Sequence, residues 1–289
     1  MADSEFLTTK EVAELLRIKE RKVYDLAAEQ QIPCTRATGK LLFSREAIDQ
    51  WLTTHSTGVE QPLSHAPALF CGSHDPLLEW AIRESRCGIP ALFDGSSDGI
   101  NRVLNREAGV SALHIYAPDS AEWNVPVVQA QVKTEAVILV RWVVRQRGIV
   151  TRTDTGVQQI KDFATHGVVT RQAGSGSQLL LAHLLKQESL SETDLNVTLT
   201  ARSEDDLALA IARRKADCGL GLASLAQQHS LEFFPVIDEH LDLLIDRRFW
   251  FEPSMQDFIS FCKGRVFASY IESLQGYSCE QMFDVCVNN

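Results

Sequence analysis

GVVTRQAGSGSQLLLAHLLKQE, residues 167–188, contains a complete structural unit. GVVTRQ reads as a strand, AGSGS as a turn freed by Gly174 and Gly176, and the leucine-rich remainder as a helix. The pattern continues downstream. VTLTAR (197–202) is a strand. SEDDLALAIARRKA (203–216) is a helix, with Ser203 as cap and acids in the first turn, as the helix dipole favours. DCGLGL (217–222), LEFFPVI (231–237) and HLDLLIDRRF (240–249) read as three more strands. FEPSMQDFISFCKG (251–264) starts a helix with Pro253 near its first position.

Upstream, the same order of elements appears a first time. ALFCG (68–72), IPALFD (89–94) and SALHIY (111–116) are strands, separated by the helical stretches after GSHD and GSSDG. VPVVQAQV (125–132) and AVILVRWVVRQRGIV (136–150) read as strands passing to the second lobe, and a helix is expected around Val157–Ala164. Strand, polar turn, helix, strand, run twice, is α/β organisation with a mainly parallel sheet. Two such lobes joined by crossovers make a bilobal binding domain with its ligand at helix N-termini beyond the strand ends. A single α/β enzyme domain is the alternative that composition leaves open. In the tail beyond Arg265, FASYIESL continues a helix, and the apolar residues of YSCEQMFDVCV are expected to pack on the domain.

The first fifty residues differ in texture. Thr8 and Glu11 make a capping box, and Val12, Leu15 and Leu16 form one apolar helix face. A second helix, Lys19–Glu29, buries Val23, Leu26 and Ala27 and turns Lys19, Arg21, Lys22 and Tyr24 outward. Ile32-Pro33 stops it. CTRATGKLLF reads as a hairpin turning at Thr38-Gly39, with Arg36 and Lys40 on it; Ser44 caps a third helix with Ala47, Ile48, Trp51 and Leu52 inward. This is the plan of a winged helix-turn-helix, whose second helix enters a major groove while the wing holds phosphates. RIKERK (17–22) concentrates four basic residues in a chain of net charge -10. Over residues 1–55, however, eight Lys and Arg face nine Asp and Glu, a net of -1. A DNA-reading face therefore needs sorted charges, and a protein-docking or purely structural module remains the rival reading.

Residues 6–52 resemble the excisionase-type, MerR-like helix-turn-helix. The shared features run in order: TTKEVAELL, a break, a recognition helix, Ile-Pro, a basic hairpin, and SREAIDQWL. That resemblance implies double-stranded DNA as partner, Lys19, Arg21, Lys22 and Tyr24 on the recognition helix, and Arg36 and Lys40 on the wing. FCGSHDPLLEWA, AGSGSQLLLAHLL, ARRKADCGLGLASLA and LEFFPVIDEHLDLLIDRRF resemble the periplasmic-binding-protein-like domain of transcription regulators, related to molybdate-binding proteins. The expected chain is thus two-domain: a small winged helix-turn-helix (1–53), a linker (54–67, THSTGVEQPLSHAP), and a bilobal α/β periplasmic-binding-protein-like (type 2) domain (68–289).

The cleft chemistry centres on serine turns. Ser175 and Ser177 stand beside backbone N–H groups at a helix N-terminus, a ready anion site, although a capped helix is the plainer reading. Ser73 in GSHD, and Ser96 and Ser97 in GSSDG, hold equivalent places in the first lobe. Asp75 reads as a cap for the next helix, and His74 as a turn residue with ligand donor as the alternative. The resemblance implies a small oxyanion, molybdate or tungstate, held by hydroxyls and amides. Arg171 beside the turn keeps small carboxylates as competitors. Asp217 and Asp242 are candidates for lobe packing or a hinge.

No GxxxxGKS, H-E-x-x-H or nucleophile elbow is present, so an enzyme is not expected and no catalytic residue is assigned. Seven cysteines without a CxxC pair argue for reduced thiols, against a zinc site, and for no cofactor beyond the anion. MADSEFLTTKEVAELL lacks the pattern of a secretory leader, and the apolar runs are too short for a bilayer, which together predict a cytoplasmic protein. A short winged module reads few bases, so a homodimer on a palindrome is expected.

Overall fold

Residues Val137–Thr151, mostly Val, Ile, Leu and Trp but carrying Arg141, Arg145, Gln146, Arg147, Gly148 and Thr151, form one of two fifteen-residue strands that pair with each other. The computed structural model describes residues 6–36, 39–55 and 66–289, in two compact units, Met1–Ser64 and His65–Asn289.

In the first unit, β1 (Phe6–Thr8) leads into α1 (Thr9–Leu16), then α2 (Glu20–Ala28), β2 (Leu42–Ser44) and α3 (Arg45–His55). The capping box forms: Glu11 N–H donates to Thr8 Oγ1 at 3.3 Å, and Thr8 N–H to Glu11 Oε2 at 2.7 Å. Leu7, Val12, Val23, Ala27, Ile32, Phe43 and Ile48 make a buried core spanning all five elements and the loop after α2. The expected hairpin is short. Among the described residues of CTRATGKLLF, Thr35 and Leu42 exchange both backbone hydrogen bonds, Gly39 N–H donates to Arg36 O, and β2 pairs on its other edge with β1. In that pairing Leu7 stands opposite Phe43, and both are buried in the core of the unit. Gly39 adopts φ +76°, as its turn requires, while Thr38 lies outside the described residues.

The second unit opens with β3 (Phe70–Gly72), α4 (Pro76–Ser85), β4 (Ala91–Leu92), α5 (Ser96–Leu104) and β5 (Val110–Leu113). A small antiparallel pair, β6 (Tyr116–Ala117) and β7 (Glu122–Trp123), and α6 (Val125–Gln131) precede β8 (Val137–Thr151). The second lobe contains a 3-10 helix (Ile160–Thr165), β9 (Gly167–Arg171), α7 (Gly176–Gln187), β10 (Asn196–Ala201), α8 (Glu204–Ala212), β11 (Cys218–Leu222) and α9 (Ala223–Gln228). β12 (Glu232–Asp246) returns to the first lobe, followed by α10 (Pro253–Cys262), α11 (Arg265–Glu272), β13 (Tyr277–Ser278) and β14 (Val285–Asn288).

The sheet order is β10-β9-β11-β8-β12-β5-β3-β4. Each lobe is a parallel trio whose first strand lies in the middle: β5-β3-β4 and β11-β9-β10. The antiparallel pair β8–β12 joins them and runs through both. Apolar clusters cover the sheet in each lobe, built on Trp142, Phe258 and Phe267 in the first and on Phe163, Leu181 and Leu185 in the second.

Three sequence readings change. VPVVQAQV is the helix α6, because Pro126 sits in its first turn and buried Asn124 pins its start with bonds to the β12 backbone and Asp242. LEFFPVI and HLDLLIDRRF are one strand, β12; register shifts at Pro235/Ile237 and Leu241/Asp242 absorb the proline and the bend. The helix expected around Val157–Ala164 is a tighter 3-10 turn, closed by Asp162 accepting from Gln158 and Gln159 N–H at 3.0 and 2.9 Å. The tail packs as strands: β13 and β14 both pair with β8.

Candidate functional site

In the first lobe the strand ends carry Ser73 and Ser96, both buried. Their hydroxyls lie 2.5 Å apart, and Ser96 Oγ accepts His114 N–H at 3.2 Å. Ser97, on the same turn, donates to Gly174 O of the second lobe at 3.3 Å. The N-terminus of α5 thus meets the turn that starts α7. Gly176 makes the approach possible: a Cβ there would stand 2.2 Å from His114 O. Gly174, at φ +80°, shapes the same turn.

On the second-lobe side, Ser175 caps α7 by accepting Gln178 N–H at 3.2 Å. Ser177 Oγ donates to Glu204 at 2.9 Å. Arg171 ends β9 with its Nε and Nη2 on Ala201 O and Arg202 O, at 3.2 and 3.0 Å. All six candidate ligand residues therefore lie where the two lobes meet, and each has an intramolecular partner. Asp75 caps α4, with Leu78 N–H at 2.9 Å, and His74 meets Glu79 at 3.2 Å.

The sequence reading missed the centre of the cleft. A line of buried charges crosses it along the crossover strands. Asp75 of the first lobe accepts Arg145 at 2.5 Å and Tyr277 Oη at 2.7 Å. Arg145 and Arg147 of β8 both bind Glu239 of β12. Arg147 reaches on to Glu204 at 3.0 Å, and Arg171 Nη1 lies 2.6 Å from the same oxygen. His114 Nδ1 lies 3.1 Å from Glu239. The arginines hold the Glu204 and Glu239 carboxyls far below the usual carboxylate range against their burial. Burial lowers the His114 imidazole, with the neighbouring Glu239 carboxylate acting the other way. A signal was present: Arg145 and Arg147, two apart in an apolar strand, share one face and need buried partners.

Asp242 is buried between Asn124 Nδ2 at 2.8 Å and Arg141 Nη1 at 2.9 Å, where β12 enters the first lobe. Burial raises its carboxyl to about 6, although Arg141 and Asn124 both favour the charge. Asp217 ties β9 to β8 through Gly167 N–H and Arg152, each at 2.9 Å. Among the described residues no group of His, Cys, Asp and Glu has the arrangement of a metal site, and all seven cysteines are free thiols.

In the first unit, α2 buries Val23 and Ala27 and exposes Arg21, Lys22 and Tyr24, with Lys19 exposed at its N-cap. Arg36 and Lys40 are exposed on either side of the Thr35–Leu42 bridge. Asp25 is exposed one turn after Arg21, so an acid sits on the helix face that carries the bases.

This architecture is that of a bilobal binding domain preceded by a helix-turn-helix module. Residues 79–263 match the PBP superfamily domain, and residues 6–56 match a helix-turn-helix domain. The first match spans more than half of the sequence, and the chain belongs to the PBP superfamily. Uncharacterized protein YvgK of Bacillus subtilis (strain 168) is 25% identical over 272 residues, covering 85% of this chain and 86% of its own. A putative phosphate ABC transporter substrate-binding protein from Clostridium perfringens, solved with bound phosphate, superposes with a TM-score of 0.54 at 12% identity. It covers 75% of this chain and 98% of its own, a likeness of fold. Neither matched domain is an enzyme family, and the pairing supports a DNA-binding regulator that senses a small molecule. Among the described residues, no helix is long and apolar enough to cross a membrane.

Proposed function

We propose that this chain is a cytoplasmic transcriptional regulator that reads double-stranded DNA as a homodimer and responds to a small oxyanion held between its lobes. One observation carries the reading: the N-terminal turns of α5 and α7, one from each lobe, come together, with Ser97 Oγ 3.3 Å from Gly174 O. Two helix N-termini with buried hydroxyls concentrate N–H and O–H donors where negative charge is stabilised. Ser73, Ser96, Ser97, Ser175 and Ser177 supply the hydroxyls, and Arg171 lies beside them. Molybdate and tungstate are the favoured effectors. Phosphate, held by the Clostridium perfringens neighbour, joins sulfate and small carboxylates as competitors. Lys19, Arg21, Lys22 and Tyr24 would read the major groove, with Arg36 and Lys40 on phosphates.

Titration calorimetry of the full chain against that anion panel tests the effector. Micromolar or tighter binding of molybdate or tungstate, abolished by changing Ser175 and Ser177 to Ala, is expected. Tight binding of an organic acid alone would replace the ligand. Retention on genomic fragments at rising salt tests the DNA half: specific retention that weakens with salt supports it. Negligible retention in every ligand state would leave a sensor that docks to protein.

A further inference from the structure

The junction between the lobes already contains an anion supplied by the chain itself. Glu204 opens α8 and is fully buried. Its Oε1 receives Ser177 Oγ at 2.9 Å and Arg147 Nη2 at 3.0 Å, with Arg171 Nη1 2.6 Å away, and its Oε2 receives Arg147 Nη1 at 3.2 Å. One hydroxyl and two guanidinium groups converging on a single carboxylate make an anion cradle. The fit is incomplete. Arg171 is 6% exposed, yet no N–H of its Nη1 is directed at an acceptor despite the short distance. Arg145 Nη2 and His114 Nδ1, further along the same line of charges, pair instead with Glu239. Buried donors without directed acceptors are costly, and a carboxylate offers only two oxygens to them.

We propose that Arg147, Arg171 and Ser177 form the anion subsite of the cleft, and that Glu204 occupies it as a tethered competitor that selects the ligand. This rests on the oxyanion reading above and deepens it. A tethered carboxylate holds its site at a high effective concentration, so a free monocarboxylate gains nothing by exchanging with it. A tetrahedral dianion brings more charge and four oxygens, enough to engage Arg171 Nη1 as well, and displaces Glu204. The subsite therefore takes tetrahedral oxyanions and rejects small monocarboxylates, and Glu204, not the serines, sets that preference. Displacing it also breaks the ionic link from α8 to β8, so ligand exchange is coupled to the lobe junction.

The test uses the full chain with Glu204→Ala and Glu204→Gln, probed by calorimetry and thermal melting with formate, acetate, inorganic phosphate and molybdate. Removing the side chain should let formate or acetate refill the cradle. Both should raise the melting temperature of Glu204→Ala and bind it ~10-fold or more tightly than wild type. Glu204→Gln, which retains the shape without the charge, should bind phosphate or molybdate at least ~10-fold tighter than wild type. Recovery of folded Glu204→Ala only from buffers containing one of these anions supports the proposal equally. Equal oxyanion affinity in wild type and Glu204→Gln overturns it while leaving the effector reading intact. Carboxylate rescue of Glu204→Ala beside a wild type silent to the oxyanions supports the cradle and overturns the effector reading. Silence of all three proteins toward all four anions overturns both.

Discussion

Arg147 is fully buried and bonded to two carboxylates on different elements, Glu239 on β12 and Glu204 on α8. Truncating it leaves both anions without their main partner. Arg147→Ala should therefore lower stability by about 3–5 kcal/mol, measured by urea unfolding, because breaking a buried pair costs more than the pair contributes. Exposed Arg36→Ala should change it by less than about 0.5 kcal/mol. Asp242 carries a pH signature. Its carboxyl stands at about 6, above its ordinary value, so over that interval the folded chain holds a proton that the unfolded chain releases. Its contribution to stability is present at the acid end and is lost as pH rises through about 6. Glu204 and Glu239, lowered in the fold, act the other way, losing their contribution as pH falls below the usual carboxylate range. Asp242→Asn should therefore gain stability relative to wild type as pH rises from 4 toward 7 in melts across that range; a constant difference would contradict the raised value.

At the scale of elements, α2 and α7 carry separable expectations. Arg21→Ala or Lys22→Ala should remove base discrimination of ~1–3 kcal/mol, while Arg36→Ala and Lys40→Ala weaken all sequences alike. Asp25, exposed one turn from Arg21, repels the backbone that Arg21 approaches, so Asp25→Asn should tighten DNA binding, most at low salt. Competition binding on matched and scrambled fragments separates these cases. On α7, the contact of Gly176 with His114 O fixes how closely the second lobe approaches the first. Gly176→Ala should hold the lobes apart, seen as a larger radius of gyration by small-angle scattering and weaker anion binding, with DNA affinity unchanged in the absence of ligand.

For the whole molecule, the coupling is the claim that matters. If an oxyanion alters DNA affinity by some factor, DNA must alter oxyanion affinity by the same factor, and titrating both ways checks it. Sedimentation on a palindromic site should show two chains per duplex; one 32.2 kDa chain per duplex would remove the dimer. Anion binding that leaves DNA affinity untouched would separate sensing from regulation.

Much of this was legible along the chain, because caps, turns and strand–helix alternation depend on neighbours a few residues apart. Thr8 with Glu11, Ser203 with Asp206, Ser175 with Gln178 and Pro253 at a helix start all act within a turn. The serine turns were placed at the cleft on the same grounds. α6 and the continuity of β12 were hidden, since Asn124 reaches Asp242 across 118 positions and the ladder to β8 carries the strand past Pro235. The chain of charges was hidden for the same reason. Arg147 meets Glu239 and Glu204 at separations of 92 and 57 residues, and Arg145 meets Asp75 at 70. The sequence by itself determined a helix-turn-helix unit, an α/β unit and the hydroxyl-bearing turns that open its helices, through local periodicity and capping. Only the tertiary structure decided that buried carboxylates fill the cleft's centre, because burial forces an ion to find its partner in space rather than along the chain.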